Sequence, residues 1–184
     1  MKKLNKLALT VCKILEILHW AAVVTMAAVL ICSAVAMDWL NGILQQGIPA
    51  FGNSLSTYGF EAIVTDAAGT VNMTTVRLFA VGALVILSLM AMTFRNCYLI
   101  LRKSQNTTPF QKDNIRMLRE IGIFAISVPI VGLAMSTLIR LVIGVDATET
   151  FVGPEGFVMG ILILCLTQFF AHGAALETDV DGLL

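Results

Sequence analysis

The stretch that decides the fold spans residues 76–101 and reads VRLFAVGALVILSLMAMTFRNCYLIL. It contains no charged residue between Arg77 and Arg95. The hydrocarbon core of a bilayer is about 30 Å thick, so a helix that crosses it needs about 20 mostly apolar residues. The stretch also lacks the alternation of apolar and polar residues that is typical of a membrane barrel strand. It therefore predicts a transmembrane helix.

Three more stretches share this length and composition, at about 17–37, 121–143 and 157–175. The whole chain has the same bias, with 58% hydrophobic and 13% charged residues and a mean hydropathy of +0.87. A typical soluble domain is about 45–50% apolar and about 25% charged. Because this chain cannot cover a water-facing surface, we predict an all-α membrane fold. Residues 1–184 then form a single domain in which four transmembrane helices make a bundle.

The basic residues are distributed unevenly around the four spans. Ten of the twelve lie before the first span or within 95–119, and the segments 38–75 and 144–156 hold none. Those two segments hold six acids: Asp38, Glu61, Asp66, Asp146, Glu149 and Glu155. Arg77 and Arg140 lie near the outer helix ends, where long side chains can snorkel. The positive-inside rule therefore predicts a multi-pass plasma-membrane protein with both termini in the cytoplasm.

This topology places an outer loop (38–75), an inner loop (102–120) and a cytoplasmic tail (176–184) outside the membrane, besides the N-terminal segment and the short segment 144–156. A cleaved signal peptide is the alternative for the first span, because its lysines and Ala34-Val35-Ala36 resemble such a segment. Lys13 and Glu16, together with the length of the apolar run, favour a retained span.

The outer loop predicts a small β-hairpin. Its candidate strands are 60–65 and 70–74, and 66–69 provides a turn that ends in glycine. Four further residues break any long helix in the loop: Gly47, Pro49, Gly52 and Gly59. Two interpretations stay open. The loop either senses an external signal or caps the outer helix ends.

The inner loop contains a helix-start signal. Thr108 fits an N-cap, Pro109 the first helical position, and Gln111 the partner position of a capping box. We expect a helix from here into the third span, with Arg116 and Arg119 one turn apart below the membrane. Anionic headgroups would stabilise such charges. Alternatively, this face docks a cytoplasmic partner.

Several polar residues lie inside the predicted spans, all towards the basic side. We predict an intramembrane polar cluster from Glu16, His19, Arg95, Gln168 and His172. Ionisable groups at this depth are functional candidates by default. The cluster either holds the helices in register or acts as a pH-sensitive switch, since imidazole titrates near neutrality.

The sequence offers little for catalysis. Its four cysteines form no Cys-x-x-Cys pair and its two histidines are too few for a metal cage, so we predict no catalytic, cofactor or metal site. The chain has no net charge, which argues against direct binding to nucleic acid. Gly156-xxx-Gly160 and Gly132-xxx-Ser136 are small-residue motifs that suit packing within the chain or a homo-oligomer.

Two cytoplasmic motifs together resemble the DUF2975 family of bacterial four-helix membrane proteins. The first is Thr108-Pro109-Phe110, followed by Asn114, Leu118, Arg119, Ile121 and Gly122. The second is the ending FAHGAALETDVD at 170–181. The resemblance implies a bacterial inner-membrane protein whose relatives are often encoded beside a small helix-turn-helix regulator.

On that analogy, the protein tethers or restrains a cytoplasmic helix-turn-helix transcription regulator. The residues that we expect to bind a partner are the acids of the tail and the cations of the inner loop: Glu177, Asp179, Asp181, Lys112, Arg116 and Arg119. The tail can bind the basic face in cis or a basic DNA-binding domain in trans. The alternative function is a small transporter, a channel or an immunity-type protein against a membrane-active peptide.

Overall fold

A computed structural model describes residues 2–66, 68–105, 111–148 and 154–181. Its elements in chain order are α1 (Lys2–Val35), α2 (Met37–Phe51), β1 (Ser54–Thr57), β2 (Phe60–Ile63), α3 (Met73–Lys103), α4 (Lys112–Val142), a 3-10 turn (Val145–Ala147) and α5 (Glu155–Asp181).

Four of the helices are long and apolar enough to cross a membrane. These spans are Asn5–Val35, Met73–Lys103, Lys112–Val142 and Glu155–Leu176. They confirm the predicted all-α membrane fold. Each helix extends beyond its predicted apolar run at one end or both, because polar residues at helix ends keep the helical backbone after hydropathy has fallen. Only the C-terminal ends of α1 and α4 come early, by two residues and by one.

Helix α2 corrects the prediction for the outer loop. Fifteen residues are helical where glycine and proline predicted a break. Pro49 lacks the amide that would donate to the Gln45 carbonyl, and the helix ends two residues later at Phe51. The helix ends at Gly52, whose φ of +81° favours glycine and whose amide donates to the Ile48 carbonyl at 2.8 Å.

The β-hairpin exists, but its second predicted strand is wrong. β2 pairs with the preceding β1 rather than with 70–74, in a register that joins Thr57 to Phe60. Tyr58 and Gly59 form the turn with φ values of +48° and +81°. Two consecutive positive φ values give a type I′ turn, whose twist matches that of the paired strands. Of the predicted pairing, the isolated bridge between Thr65 and Val71 is formed.

The segment after β2 is a tight polar loop closed by Asp66. Its carboxylate accepts from the amides of Ala68 and Thr70, both at 2.9 Å, and from the Thr70 hydroxyl. The Thr70 hydroxyl bond is the main reason why the pKa of Asp66 lies below its ordinary value. Gln45 of α2 binds the same loop, donating to Gly69 and accepting from the Val71 amide.

The described chain packs as two compact units. We call the first the basic unit: Met1–His19, Leu89–Ser127 and Pro154–Leu184. We call the second the hairpin unit: Trp20–Ser88 and Val128–Gly153. The ten basic residues that the sequence grouped together all belong to the basic unit.

Phe60 forms the core of the hairpin unit. Its side chain has no exposed surface and stacks on Phe79 of α3 with 5.1 Å between ring centroids. A Cβ added to Gly82 would lie 2.7 Å from the Phe60 ring, so the absence of a side chain there makes room for it. The Thr148 hydroxyl donates to the Glu61 carbonyl and so ties β2 to the chain after the 3-10 turn.

Arg77 closes the junction between α1 and α2 instead of snorkelling. Its guanidinium donates to the Ser33 hydroxyl at 3.2 Å and to the Ser33 carbonyl. Ser33 lies in the last turn of α1, where carbonyls lack partners within the helix. Arg140 donates to the Thr148 carbonyl at 3.5 Å.

In the basic unit, α4 and α5 approach closely at two glycines. A Cβ on Gly160 would lie 2.9 Å from the Gly122 carbonyl oxygen and 3.1 Å from the Ile126 amide. A Cβ on Gly122 would meet Leu164 at 2.8 Å. Gly160 of the Gly-xxx-Gly motif therefore packs within this chain.

Candidate functional site

The first turns of α4 expose a row of cations. Lys112, Arg116 and Arg119 are all exposed and recur at i, i+4 and i+7, which places them on one helix face. Ile115 and Met117 are 9% and 5% exposed, so other faces of the same turns are buried. The structure thus presents these three predicted partner-binding residues on a single surface.

The start of α4 differs from the predicted capping box. Gln111 immediately precedes the helix, and its carbonyl accepts from the Ile115 amide at 3.1 Å, whereas the capping box predicts Gln111 within the first turn. Thr108 and Pro109 lie outside the described residues. An ion pair of 2.8 Å between Lys103 and Asp113 instead joins the first turn of α4 to the end of α3.

Glu120 is the polar centre between α3 and α4. Its Oε2 accepts from Asn96 Nδ2 at 2.9 Å, and its Oε1 lies 3.4 Å from Arg116 Nε. Asn96 is only 6% exposed, so the amide is taken from water and its bond to a carboxylate is stronger than one between neutral groups. This contact fixes the helix that carries the cationic row.

Of the predicted intramembrane cluster, the two members on α1 contact other groups. Glu16 is 8% exposed and binds Lys13 at 3.0 Å, and the Lys13 ammonium lies 5.2 Å from the centre of the Tyr98 ring. His19 Nδ1 lies 2.7 Å from the Leu15 carbonyl, so Nδ1 carries the proton in this bond, because a carbonyl only accepts. The His19 ring lies 5.0 Å from Phe94.

The other three members do not join them. Arg95, Gln168 and His172 are exposed, and within the described residues none of them forms a hydrogen bond or ion pair with Glu16. Consecutive side chains of an α-helix point about 100° apart around its axis, so residues at a similar depth in the membrane can face different directions. Asn96 is buried beside Glu120, while its neighbour Arg95 faces outward.

The pair formed by Asn96 and Glu120 was not predicted from the sequence. The sequence did contain a signal for this pair. Asn96 follows Arg95 within the second predicted span, and because adjacent side chains of a helix point in different directions, only one of the two is expected to be buried. Glu120, the last residue of the predicted inner loop, was the corresponding acid next to the third span. Its pairing with an amide, rather than with a cation from another helix, depends on how α3 and α4 pack.

The acidic tail continues α5 as a helix. The apolar span ends at Leu176, and the helical backbone runs on to Asp181. The side chains of the predicted partner-binding residues Glu177, Asp179 and Asp181 lie outside the described part of the chain.

The hairpin unit contains an apolar cavity of about 120 Å³. Its walls include Ile43 and Ile48 of α2, Leu55 of β1 and Val76 of α3. A cavity of this lining excludes charged or strongly polar molecules, since nothing in it replaces their hydration. The sensing interpretation of the outer loop would place a ligand here, whereas the contacts of Phe60 and Gln45 agree with a cap.

The comparisons with known proteins give no relatives. No protein-family model matches the chain, and neither a curated protein nor a solved structure does. Membership in DUF2975 therefore stays a prediction that rests on the two sequence motifs. Within residues 2–66, 68–105, 111–148 and 154–181, no group of three or more His, Cys, Asp or Glu side chains could hold a metal ion.

Proposed function

We propose that the protein is an integral membrane interaction protein that restrains a helix-turn-helix transcription regulator at the cytoplasmic face of the bacterial plasma membrane. The observation that carries the proposal is the extension of α5. Its backbone stays helical from Leu176 to Asp181, over the segment of the sequence that contains the three acids of the tail. The resemblance to DUF2975 supports the choice of partner by analogy.

The charge of the tail suggests how restraint would work. At 1.5 Å per residue, Asp181 lies about 7.5 Å beyond Leu176 along the helix. Glu177, Asp179 and Asp181 bring three carboxyl groups within five consecutive residues. A DNA-binding domain presents cations to DNA phosphates. Carboxylates that bind the same cations compete with DNA, and the regulator is held at the membrane while it is bound.

The cationic row on α4 provides a competing partner for the tail. Arg116 is partly engaged by Glu120, whereas Lys112 and Arg119 are exposed. Both the row and α5 belong to the basic unit. Binding of the tail to this row would release a regulator. Binding of anionic headgroups to the row would instead leave the tail available to bind a regulator.

Transport has less support from the described residues. A pore lined by Arg95, Gln168 or Ser88 would favour it. Arg95 and Gln168 are exposed on their helices, and the Ser88 hydroxyl donates to the Leu84 carbonyl of its own helix at 2.7 Å. A solute-dependent current or flux in reconstituted vesicles would support this alternative.

Affinity capture from native membranes tests the proposal. The variant Glu177→Gln/Asp179→Asn/Asp181→Asn should lose a helix-turn-helix protein that the wild type retains, and raised salt should weaken the wild-type complex because charge pairs of this kind are screened. The control Asp38→Asn/Glu61→Gln/Asp146→Asn removes three acids from the hairpin unit and changes the net charge equally.

Retention by the control and loss by the tail variant would support restraint through the tail. Equal retention by both variants would contradict it, as would the absence of any DNA-binding protein from the wild-type complex. Loss from both variants would show that net charge, rather than the tail, governs capture.

A further inference from the structure

A groove with basic and apolar walls lies between α1 and α3 of the basic unit. It has a volume of about 520 Å³ and is open to the surface. On α1, Lys6, Leu9 and Lys13 line it at i, i+3 and i+7, which is one helix face. On α3, Tyr98 and Arg102 line it one turn apart. Two helix faces therefore meet along the groove and supply three cations.

The charge of the groove is positive even after its internal pairing is counted. Lys13 binds Glu16 at 3.0 Å and lies over the Tyr98 ring, so its charge is largely offset. Lys6 and Arg102 add two more cations, and among the described residues no carboxylate lines the groove. An anion is the ligand that this lining complements.

The position of the groove along the helices specifies the kind of anion. Lys6 to Lys13 form the first turns of the span Asn5–Val35, and Tyr98 to Arg102 the last turns of Met73–Lys103. The ends of membrane spans lie at the depth of the lipid headgroups. Ile14 also lines the groove and is 51% exposed, and Ile17, one turn further along α1, is 57% exposed. A ligand here meets cations at one end and an apolar helix face at the other.

We propose that this groove binds the phosphate headgroup of an anionic phospholipid, with an acyl chain along the exposed apolar face of α1. Arg102 can form two parallel hydrogen bonds to a phosphate, and Lys6 acts as a point charge. Basic pockets between membrane helices bind anionic headgroups in this way. The inference does not depend on a partner at the tail.

Native mass spectrometry of the purified protein in micelles tests the proposal, with phosphatidylglycerol and phosphatidylcholine as probes. The wild type should retain phosphatidylglycerol in preference to phosphatidylcholine. Lys6→Gln/Arg102→Gln should weaken that retention roughly tenfold or more, since each cation near a membrane surface contributes measurably to anionic-lipid binding. Arg102→Lys should give an intermediate loss, because it keeps the charge and loses the planar fork.

Lys103→Gln/Arg140→Gln is the matched control, since it removes one lysine and one arginine that are exposed outside the groove. It should bind phosphatidylglycerol within about twofold of the wild type, the change expected for cations that do not contact the headgroup.

Equal losses in the two double variants would overturn the proposal in favour of general charge attraction. So would equal retention of the two lipids by the wild type. Displacement of phosphatidylglycerol by inorganic phosphate would contradict the proposal, because the groove would then bind free phosphate and not a lipid headgroup. Circular dichroism of each variant should show unchanged helix content, because all four substituted side chains are exposed.

Discussion

The hairpin unit and the basic unit are held together by different kinds of contact. In the hairpin unit, the ring of Phe60 is fully buried against Phe79, and the loops around it close through hydrogen bonds to backbone groups. In the basic unit, α4 and α5 meet at Gly122 and Gly160, and the pair Asn96–Glu120 joins α3 to α4.

This difference separates structural from interacting surfaces. The polar groups of the hairpin unit named above bind within the unit: Arg77 to Ser33, Gln45 to the Asp66 loop. The basic unit instead leaves cations such as Lys6, Arg102 and Arg119 exposed. We therefore expect substitutions of buried or hydrogen-bonded residues in the hairpin unit to lower stability, and substitutions of exposed cations in the basic unit to change binding.

Phe60→Ala should give the largest effect. Removal of a fully buried phenyl ring costs about 3–5 kcal/mol in the free energy of unfolding, through lost contacts and the cavity left behind. Denaturant titration in mixed micelles measures it. Phe169→Ala is the matched control, because that ring is 75% exposed and should cost far less. Similar losses for the two variants would show that Phe60 is not the core of the hairpin unit.

Gly160→Ala should lower stability in the basic unit by up to about 2 kcal/mol. Overpacking costs about 1–3 kcal/mol, and the gain in helix propensity from glycine to alanine, about 1 kcal/mol, offsets part of it. Gly42→Ala in α2 has the same propensity gain, and its added Cβ would meet nothing within 4 Å. The melting temperature should therefore fall for Gly160→Ala and hold or rise for Gly42→Ala. Shifts of equal sign and size would contradict close packing of α4 on α5.

The four spans could be predicted from the sequence, because the thickness of the bilayer sets the length of an apolar run regardless of how the helices pack against one another. It failed for α2 because the local signals, Gly47 and Pro49, opposed a helix. The apolar face that carries Ile43 and Ile48 overrides them, since it lines one apolar cavity together with Leu55 of β1 and Val76 of α3. Such an override depends on contacts distant in the sequence and has no local signature.

The hairpin and the candidate site show the same limit. Two glycine-containing turns, at Tyr58-Gly59 and at 66–69, compete for β2, and only the packing of the strands decides between them. At the site, hydropathy and charge found Glu16 and the exposed row on α4. Hydropathy and charge did not show which of Arg95 and Asn96 is buried, because the direction of a side chain depends on how the helix is rotated within the fold.

Double-mutant cycles should separate the buried from the exposed charge contact in the basic unit. Asn96→Ala with Glu120→Gln should give a coupling energy of about 1 kcal/mol, because a hydrogen bond to a carboxylate is strong but Glu120 is 36% exposed. Lys103→Gln with Asp113→Asn should give about 0–0.5 kcal/mol, since those side chains are 42% and 69% exposed. A larger coupling for the exposed pair would reverse the assignment of Asn96–Glu120 as the contact that fixes α4.

The smallest effect should come from Asp66 and depend on pH. Its pKa is lowered in the folded protein, first by the Thr70 hydroxyl. A carboxyl group with a lowered folded pKa stabilises the fold above its unfolded pKa of about 3.9, and the stabilisation is lost as pH falls through the folded pKa.

Carboxyl carbon NMR of Asp66 should give a midpoint below 3.9, the unfolded reference. Thr70→Val should raise that midpoint and Thr57→Val should not, since the Thr57 hydroxyl does not bind Asp66. An unchanged midpoint in Thr70→Val would mean that the backbone amides alone hold the loop closed.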